Sequence, residues 1–368
     1  MSRTSLTFTF YAIMKLHAGL AALLPLAAAM PTTRNAASSP LNVTLEKVGN
    51  SAVKATISNV GKEDLRIFRP GSILDTSAVE KAKVKSGDRA IAFDGIRKRI
   101  STRQIDDASF EHIGAGNSVE VTFDIAQTHD LSTGGEFRVV SAGKLMIAGN
   151  SGDNSNNIVK SVPYQSNVLN AKVNGTEAAA VRAKINQKWK RANLQSDCTG
   201  DRLSATKTAL RNCQALSQSA QKAALSGSAE MMEKFFKASD NSTRTTVAGV
   251  FSRVAEECGS TTGGASTYYC TDVRNHCRGN VLAYTIPSQS VMVYCDLYFD
   301  GLPPLTSKCD KQDQATTTLH ECTHLREIQD TKDLGYGYDA IHKLPTADIL
   351  NNGDTYAIFA NLIYAGCF

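Results

Sequence analysis

The residues best suited to chemistry lie at positions 319–324, which read L-H-E-C-T-H. On an α-helix each residue advances about 100°, so His320 and His324 fall about 40° apart on one face, one turn from each other. Two neutral imidazoles placed in this way can share one Zn²⁺ ion at about 2.0–2.1 Å each. Glu321 lies beside that face, where a carboxylate can take a proton from water on the metal. The stretch therefore predicts a zinc hydrolase with one Zn²⁺ per chain.

A catalytic zinc site needs a third protein ligand and keeps a fourth position for water. Glu327 shares the histidine face but would reach the metal poorly from the same helix, and a lone histidine such as His342 is more often structural. Asp333 can swing back to the metal after a short loop, helped by the glycines of residues 335–337. Tyr336 would then lie near the zinc, with its phenol free to donate to a developing oxyanion.

The opposite face of the same helix carries Ala315, Leu319 and Cys322, which predicts a side that packs on the core. Cys322 could in principle be a soft zinc ligand. Its direction on the helix instead favours a buried free thiol.

The nine cysteines all follow residue 197, and this density predicts disulfides and an oxidising compartment. Their odd number leaves at least one thiol unpaired, and Cys322 is the candidate. The formal net charge of +5 in 368 residues is mild and gives no reason to expect a nucleic-acid partner.

The N-terminus predicts export. Lys15 precedes a short apolar run at residues 18–29 that ends in three alanines, so we expect a signal peptide at residues 1–29, with the true start at Met1 or Met14. Because no other stretch approaches 18 apolar residues, we expect a secreted, extracellular product without a membrane segment in its mature form.

Two regions of different texture follow. Residues 41–170 alternate apolar and polar side chains between Gly, Asn and Asp clusters, which predicts a small antiparallel β-sandwich. A basic, helical linker at residues 177–191 then ends in Lys190-Arg191, the dibasic pair that kexin-type processing proteases cut. We therefore expect a propeptide at residues 30–191 and a mature domain at residues 192–368.

Charge supports this boundary. Residues 192–368 carry 15 Lys and Arg against 19 Asp and Glu, a net charge of −4, whereas the preceding residues carry 25 against 16, a net charge of +9. Opposite charges would attract a prodomain to its enzyme. The mature part begins with helical apolar stripes, such as Val247, Val250, Phe251 and Val254, and continues with a hairpin around residues 287–290. The predicted fold class is α+β, a β-rich prodomain followed by a mostly helical catalytic domain with a small β-hairpin or sheet.

The pairing of H-E-C-T-H at residues 320–324 with T-K-D-L-G-Y-G at residues 331–337 resembles the aspzincin signature, H-E-x-x-H followed by G-T-x-D-x-x-Y-G. The whole chain resembles the deuterolysins, secreted fungal neutral zinc proteases with a zincin-like catalytic domain. By this resemblance His320, His324 and Asp333 bind zinc, Glu321 is the general base and Tyr336 stabilises the transition state. The chain departs from the signature at position 330, where Asp replaces Gly.

The resemblance also implies the disulfides Cys198–Cys270, Cys277–Cys295 and Cys309–Cys367. Cys213 and Cys258 then remain as a plausible further pair, and Cys322 stays free.

The expected function is that of a secreted zinc metalloendopeptidase, made as a zymogen, that hydrolyses protein and peptide substrates, with a preference for basic proteins. We expect a monomer. The alternative is a secreted, non-enzymatic zinc-binding protein, which would need a fourth protein ligand to close the metal site. Since no cysteine precedes residue 198, the propeptide cannot block the zinc with a thiolate. Inhibition would have to be steric or use an acid, His112 or His129, and a role in folding alone stays open.

Overall fold

A computed structural model of the chain describes residues 39–103, 105–149, 158–185, 194–260 and 263–368. The predicted signal peptide at residues 1–29 and the Lys190-Arg191 pair lie outside the described residues. Both therefore stay predictions.

Alternating burial builds the strands of the N-terminal region. In the first two strands the side chains of Val43, Leu45, Ala55 and Ile57 are buried, and their neighbours in sequence are more exposed. The strands described in this region are β1 (Leu41–Lys47), β2 (Ala52–Asn59), β3 (Leu65–Phe68), β4 (Lys83–Ser86), β5 (Arg89–Ile91), β6 (Arg97–Ile100), β7 (Phe110–Ile113), β8 (Ser118–Asp124), β9 (Gly135–Val140), β10 (Ala142–Ala148), β11 (Ile158–Gln165) and β12 (Leu169–Val173).

Eleven of these described strands form three antiparallel sheets, in the orders β1-β2-β8, β11-β10-β3-β7 and β12-β9-β4-β5. Their inward side chains share one apolar core. The strand-rich texture predicted for residues 41–170 is thus present. The arrangement differs from a single small sandwich, because β6 leaves these sheets and pairs elsewhere.

The C-terminal region is mostly helical, and an apolar core forms where α2, α4, α6 and α9 pack together. The stripe at residues 247–258 is buried on α4 as expected. Among the described helices, none is long and apolar enough to cross a bilayer. The helices are α1 (Gly175–Ile185), α2 (Gly200–Ser226), α3 (Ala229–Phe236), α4 (Asn241–Cys258), α5 (Asp296–Gly301), α6 (Gln314–Thr323), α7 (Tyr338–His342), α8 (Thr346–Ile349) and α9 (Gly353–Ala365).

The predicted hairpin is present in this region. β14 (Val281–Ile286) and β15 (Val291–Tyr294) pair antiparallel through a short turn of 3-10 helix at Pro287–Gln289. The short strand β13 (Thr267–Tyr269) adds to β15 in parallel. The mixture of α and β structure is as expected, and the division into a prodomain and a catalytic domain stays a prediction.

The outer edge of this hairpin is covered by β6, which comes from the N-terminal region. Arg99 pairs with Ala283 and Lys98 with Tyr284 in an antiparallel ladder, so the full sheet order is β13-β15-β14-β6. Sequence patterning does not predict this strand, since Arg97-Lys98-Arg99 is a basic run that would normally face solvent. Residues Ser39–Phe368 consequently form one compact unit.

Four disulfides join the C-terminal region: Cys198–Cys270, Cys213–Cys258, Cys277–Cys295 and Cys309–Cys367. These are the three bonds implied by the family resemblance together with the further pair. Cys322 is the free cysteine and is buried. The expected pairing is therefore confirmed.

Candidate active site

Helix α6 carries the first half of the site and begins at a reciprocal cap. The Asp313 carboxylate accepts from the Thr316 backbone N–H at 2.7 Å, and the Thr316 hydroxyl accepts from the Asp313 N–H at 3.2 Å. Such a cap satisfies amide groups that the first turn leaves free. Ala315, Leu319 and Cys322 face the apolar core as predicted. Because this face packs on the core, the opposite face of α6, with His320 and His324, is directed toward the site.

His320 and His324 lie at the C-terminal end of this helix with their rings 4.7 Å apart. Their Nε2 atoms approach to 3.0 Å and both side chains are fully buried. The His324 Nδ1–H donates to the Thr331 carbonyl oxygen at 2.9 Å, which leaves Nε2 free for a metal. His320 and His324 thus lie on one helix face and point to the same place, as the sequence predicted.

The chain returns to these histidines through a tight turn at Asp330, whose φ is +52°. This left-handed conformation explains why the signature has Gly here, and Asp tolerates it better than most residues do. The Thr331 N–H then donates to the Thr323 carbonyl oxygen at 3.1 Å. Gly337 also has a positive φ, of +82°. The short loop is therefore long enough to bring Asp333 back.

Asp333 completes the cluster. Its Oδ1 atom is 3.1 Å from His320 Nε2 and 3.3 Å from His324 Nε2. Ligands at about 2.0–2.1 Å from a tetrahedral zinc lie about 3.3 Å from each other. The separations of 3.0–3.3 Å and the donor set of two nitrogens and one oxygen thus fit one zinc ion. Among the described residues, these three side chains are the ones whose ligand atoms meet at this point.

Ionisation in the cluster also suits a cation. Burial and the charge of Arg99 together lower the pKa of His320 to about 3, so this imidazole is neutral as a ligand must be. Burial alone would raise the pKa of Asp333. The charge of His324 and the hydrogen bonds from both histidines instead hold it well below its usual range. Burial lowers the pKa of His324, but Asp333, Glu321 and the hydrogen bond to Thr331 together raise it above its usual value, and a metal would replace this proton.

Glu321 lies beside the cluster on the floor formed by β14. The Thr285 hydroxyl donates to its Oε2 atom at 2.5 Å, whereas its buried Oε1 atom has no hydrogen-bond partner within the described part of the chain. Burial raises the pKa of Glu321 to about 7, against the opposing effects of His324 and Thr285. A carboxylate with this pKa can accept and return a proton near neutral pH.

Tyr336 covers the cluster from the other side. Its ring stacks on His320 at 6.3 Å between centroids, and its hydroxyl donates to the Lys98 carbonyl oxygen at 2.6 Å. Burial and the charge of Asp333 raise the pKa of the Tyr336 phenol well above its usual value. The phenol therefore keeps its proton and already holds a peptide carbonyl.

The other candidates from the sequence lie away from the cluster. Glu327 accepts from the Ser290 hydroxyl at 2.7 Å, and the His342 Nδ1–H donates to the Tyr338 carbonyl oxygen of its own helix at 2.7 Å. Cys322 packs in the core with its sulfur 3.7 Å from Cys258 Sγ. Burial raises the pKa of this thiol well above its usual value, so it is inert as a ligand.

Sequence reasoning missed three residues that bear on the site. Asp354 lies at the start of α9, where its Oδ1 atom is 3.3 Å from His320 Nδ1. Thr285 holds Glu321 from β14. Arg99 places Nη1 at 3.1 Å from His320 Nδ1 and forms a buried ion pair with Asp354. None has a local sequence signal, since each is brought in by pairing or packing over more than 30 residues.

Two imidazoles, one carboxylate and an adjacent carboxylate with a free oxygen define a metal-dependent hydrolase of the H-E-x-x-H class. The sequence profile of the Deuterolysin metalloprotease (M35) family matches residues 12–367. The chain belongs to this family and is a metalloprotease. The expectation of a deuterolysin-like enzyme is confirmed.

Individual relatives agree with this assignment. The chain is similar to a Neutral protease 2 homolog of Colletotrichum graminicola, with 46% identity over 89% of this chain and 93% of the relative. Neutral protease 2 of Aspergillus oryzae is 41% identical over 96% of this chain and 99% of its own length. A solved zinc peptidase from Grifola frondosa matches 45% of this chain and 97% of its own with 19% identity and a TM-score of 0.38, which is too low to establish a shared fold.

Proposed function

We propose that the chain is the precursor of a secreted zinc endopeptidase that binds one Zn²⁺ through His320, His324 and Asp333. The observation that carries this proposal is the convergence of their ligand atoms within 3.0–3.3 Å, beside a carboxylate oxygen without a partner. Zinc, rather than a harder cation, suits two imidazoles and one carboxylate.

The side chains have distinct roles in peptide hydrolysis. A bound zinc ion would supply Lewis acidity, which activates water and polarises the scissile carbonyl. Glu321 takes a proton from the attacking water on its free Oε1 atom and gives it to the leaving amine. Tyr336 donates its phenol proton as a hydrogen bond to the carbonyl oxygen, which gains negative charge in the transition state. Asp354 places its Oδ1 atom 3.3 Å from His320 Nδ1 and pairs with Arg99, which faces the same nitrogen, so these two residues hold the ring with its Nε2 atom directed at the cluster.

Maturation belongs to the same proposal. A signal peptide at residues 1–29, a propeptide at residues 30–191 and cleavage at Lys190-Arg191 by a kexin-type protease would give a mature monomer of residues 192–368. Four disulfides support an oxidising, extracellular destination. The mature net charge of −4 supports a mild preference for basic protein substrates.

The non-enzymatic alternative needs a fourth protein ligand. In the described parts of the chain, the cluster offers three ligand side chains and Cys322 lies in the core. We therefore propose that the fourth coordination position of the zinc ion is left for the catalytic water.

The proposal is tested on the secreted product by intact mass, N-terminal sequencing, metal content and casein hydrolysis with and without a chelator. We expect an N-terminus at residue 192, one zinc per chain and activity that the chelator abolishes. A zinc-free product with full, chelator-insensitive activity would refute the site. If casein and a basic protein were hydrolysed at equal rates, at both low and high salt, the proposed preference for basic substrates would be wrong.

A further inference from the structure

Strand β6 crosses the candidate site in an extended conformation. Beyond its ladder with β14, the Gln312 side-chain amide donates to the Ile100 carbonyl oxygen at 2.9 Å and accepts from the Thr102 N–H at 2.9 Å. The Ser101 N–H donates to the Asn280 carbonyl oxygen at 2.7 Å. An extended peptide that adds to a sheet edge gains affinity mainly from such main-chain bonds.

The peptide bond between Lys98 and Arg99 lies against the proposed machinery itself. The Tyr336 phenol donates to the Lys98 carbonyl oxygen at 2.6 Å, and the Lys98 N–H donates to Asp333 Oδ2 at 3.2 Å. In the proposed mechanism the same phenol donates to the carbonyl of the bond to be cut. β6 therefore occupies the position that a substrate strand would need.

Arg99 anchors the strand behind the histidines. Its side chain is 2% exposed, pairs with Asp354, which is 1% exposed, and lies 3.1 Å from His320 Nδ1. A guanidinium this deeply buried is tolerated only because a carboxylate compensates it. Arg97, two residues earlier on the same strand, instead pairs with Glu80 of the N-terminal region at 2.7 Å.

The attachment does not depend on chain continuity at Lys190-Arg191. A separate apolar cluster contains Ile96, Ile100 and Phe68 from the N-terminal region together with Val281 and Tyr336 from the C-terminal region. Burial of these side chains and of the β6 ladder would survive a cut at the linker. The two histidines considered for inhibition lie elsewhere: His112 contacts Asp107 and His129 packs on Phe93.

We propose that β6 is a substrate-like latch anchored by Arg99, and that the prosegment stays bound and inhibitory after cleavage at Lys190-Arg191. Activation then needs a second event that withdraws or destroys this strand, namely dilution or further proteolysis. The inference rests on the proposed function, because it assumes that the site is catalytic.

The test uses the full chain, purified from a host without kexin-type proteases and cut in vitro at Lys190-Arg191. Wild type is compared with Arg99→Ala and with Arg97→Ala, the matched control on the same strand. Co-elution of the two fragments in gel filtration is measured over a dilution series, beside casein hydrolysis per mole of protein.

We expect the wild-type fragments to co-elute at micromolar concentration and activity per molecule to rise on dilution. Arg99→Ala should raise the concentration at which the fragments separate by about 30-fold or more, as loss of one partner of a buried ion pair does. Arg97→Ala should behave as wild type.

Wild-type fragments that separate at once, with full activity at micromolar concentration, would overturn the latch, as would Arg99→Ala fragments that co-elute like wild type. If the Arg99 variant is not secreted, the wild-type dilution series decides alone. In a third outcome, Arg99→Ala raises the concentration at which the fragments separate, but no variant cleaves casein at any dilution. That result would support the latch and contradict the proposed function.

Discussion

Replacement of Glu321 by Gln separates proton transfer from metal binding at this site. The structure makes the change nearly isosteric. The Gln carbonyl oxygen can keep the hydrogen bond that the Thr285 hydroxyl donates at 2.5 Å, and the amide then takes the place of the partner-free Oε1 atom. Glu321 contributes no atom to the cluster of His320, His324 and Asp333, so metal binding should persist.

The expected loss is the contribution of a positioned general base. Such a group typically supplies about 10²–10⁴ in rate, or about 3–5 kcal/mol of transition-state stabilisation. Because glutamine matches glutamate in size and keeps the Thr285 contact, the substitution should leave the melting temperature within a few degrees of wild type.

The assay measures casein hydrolysis, zinc content and melting temperature of the processed protein. Glu327→Gln is the matched control, since Glu327 is an exposed carboxylate whose partner is the Ser290 hydroxyl. We expect full zinc content in both variants and loss of turnover in Glu321→Gln only. Wild-type turnover in Glu321→Gln would show that another group takes the proton. Loss of zinc would show that Glu321 is a ligand.

Three further changes test the surrounding structure. Asp333→Asn should weaken zinc binding by at least about 100-fold, which metal titration against a competing chelator measures, and unchanged affinity would exclude Asp333 as a ligand. His129 is buried and neutral, with its pKa lowered by burial to about 4. Since the unfolded chain binds a proton near pH 6.5 and the folded chain does not, stability should fall by at most about 3 kcal/mol from pH 6.5 to pH 4. His129→Gln should flatten that dependence in urea unfolding of the uncut chain, and an unchanged slope would contradict it. At position 330, where φ is +52°, Asp330→Ala should cost about 1 kcal/mol while Asp330→Gly should be neutral or stabilising, and equal melting temperatures would show that the turn is not strained.

Much of the site could be predicted because its signals are local. Helical spacing alone places His320 and His324 on one face and turns Cys322 into the core. The cap at Asp313 follows from its position before the helix. The left-handed turn at Asp330 follows from the motif residue it replaces. Each of these features depends on neighbours within one or two turns of the chain.

The parts that could not be predicted depend on pairing over long distances. Arg97-Lys98-Arg99 has the composition of a solvated surface, and only its ladder with β14 turns it into a buried strand. Asp354 likewise acquires its role from packing, because the backbone at Gly353 comes so near His320 that a Cβ atom there would lie 3.1 Å from the ring. Secondary-structure propensities depend on residues close in sequence, so they cannot predict such long-range contacts.

Net charge is a poor guide to how the two regions recognise each other. The N-terminal region is the basic one, yet its Asp94 and Glu80 pair with Arg326 and Lys332 of the acidic region, opposite to the expected sense. Arg326 is 40% exposed, so salt screens that pair. Arg99 and Asp354 are at most 2% exposed, beyond the reach of counterions. Among the charges that join the two regions, the buried Arg99–Asp354 pair is therefore the one that salt cannot screen, and the difference between the net charges of +9 and −4 acts at most on the first encounter.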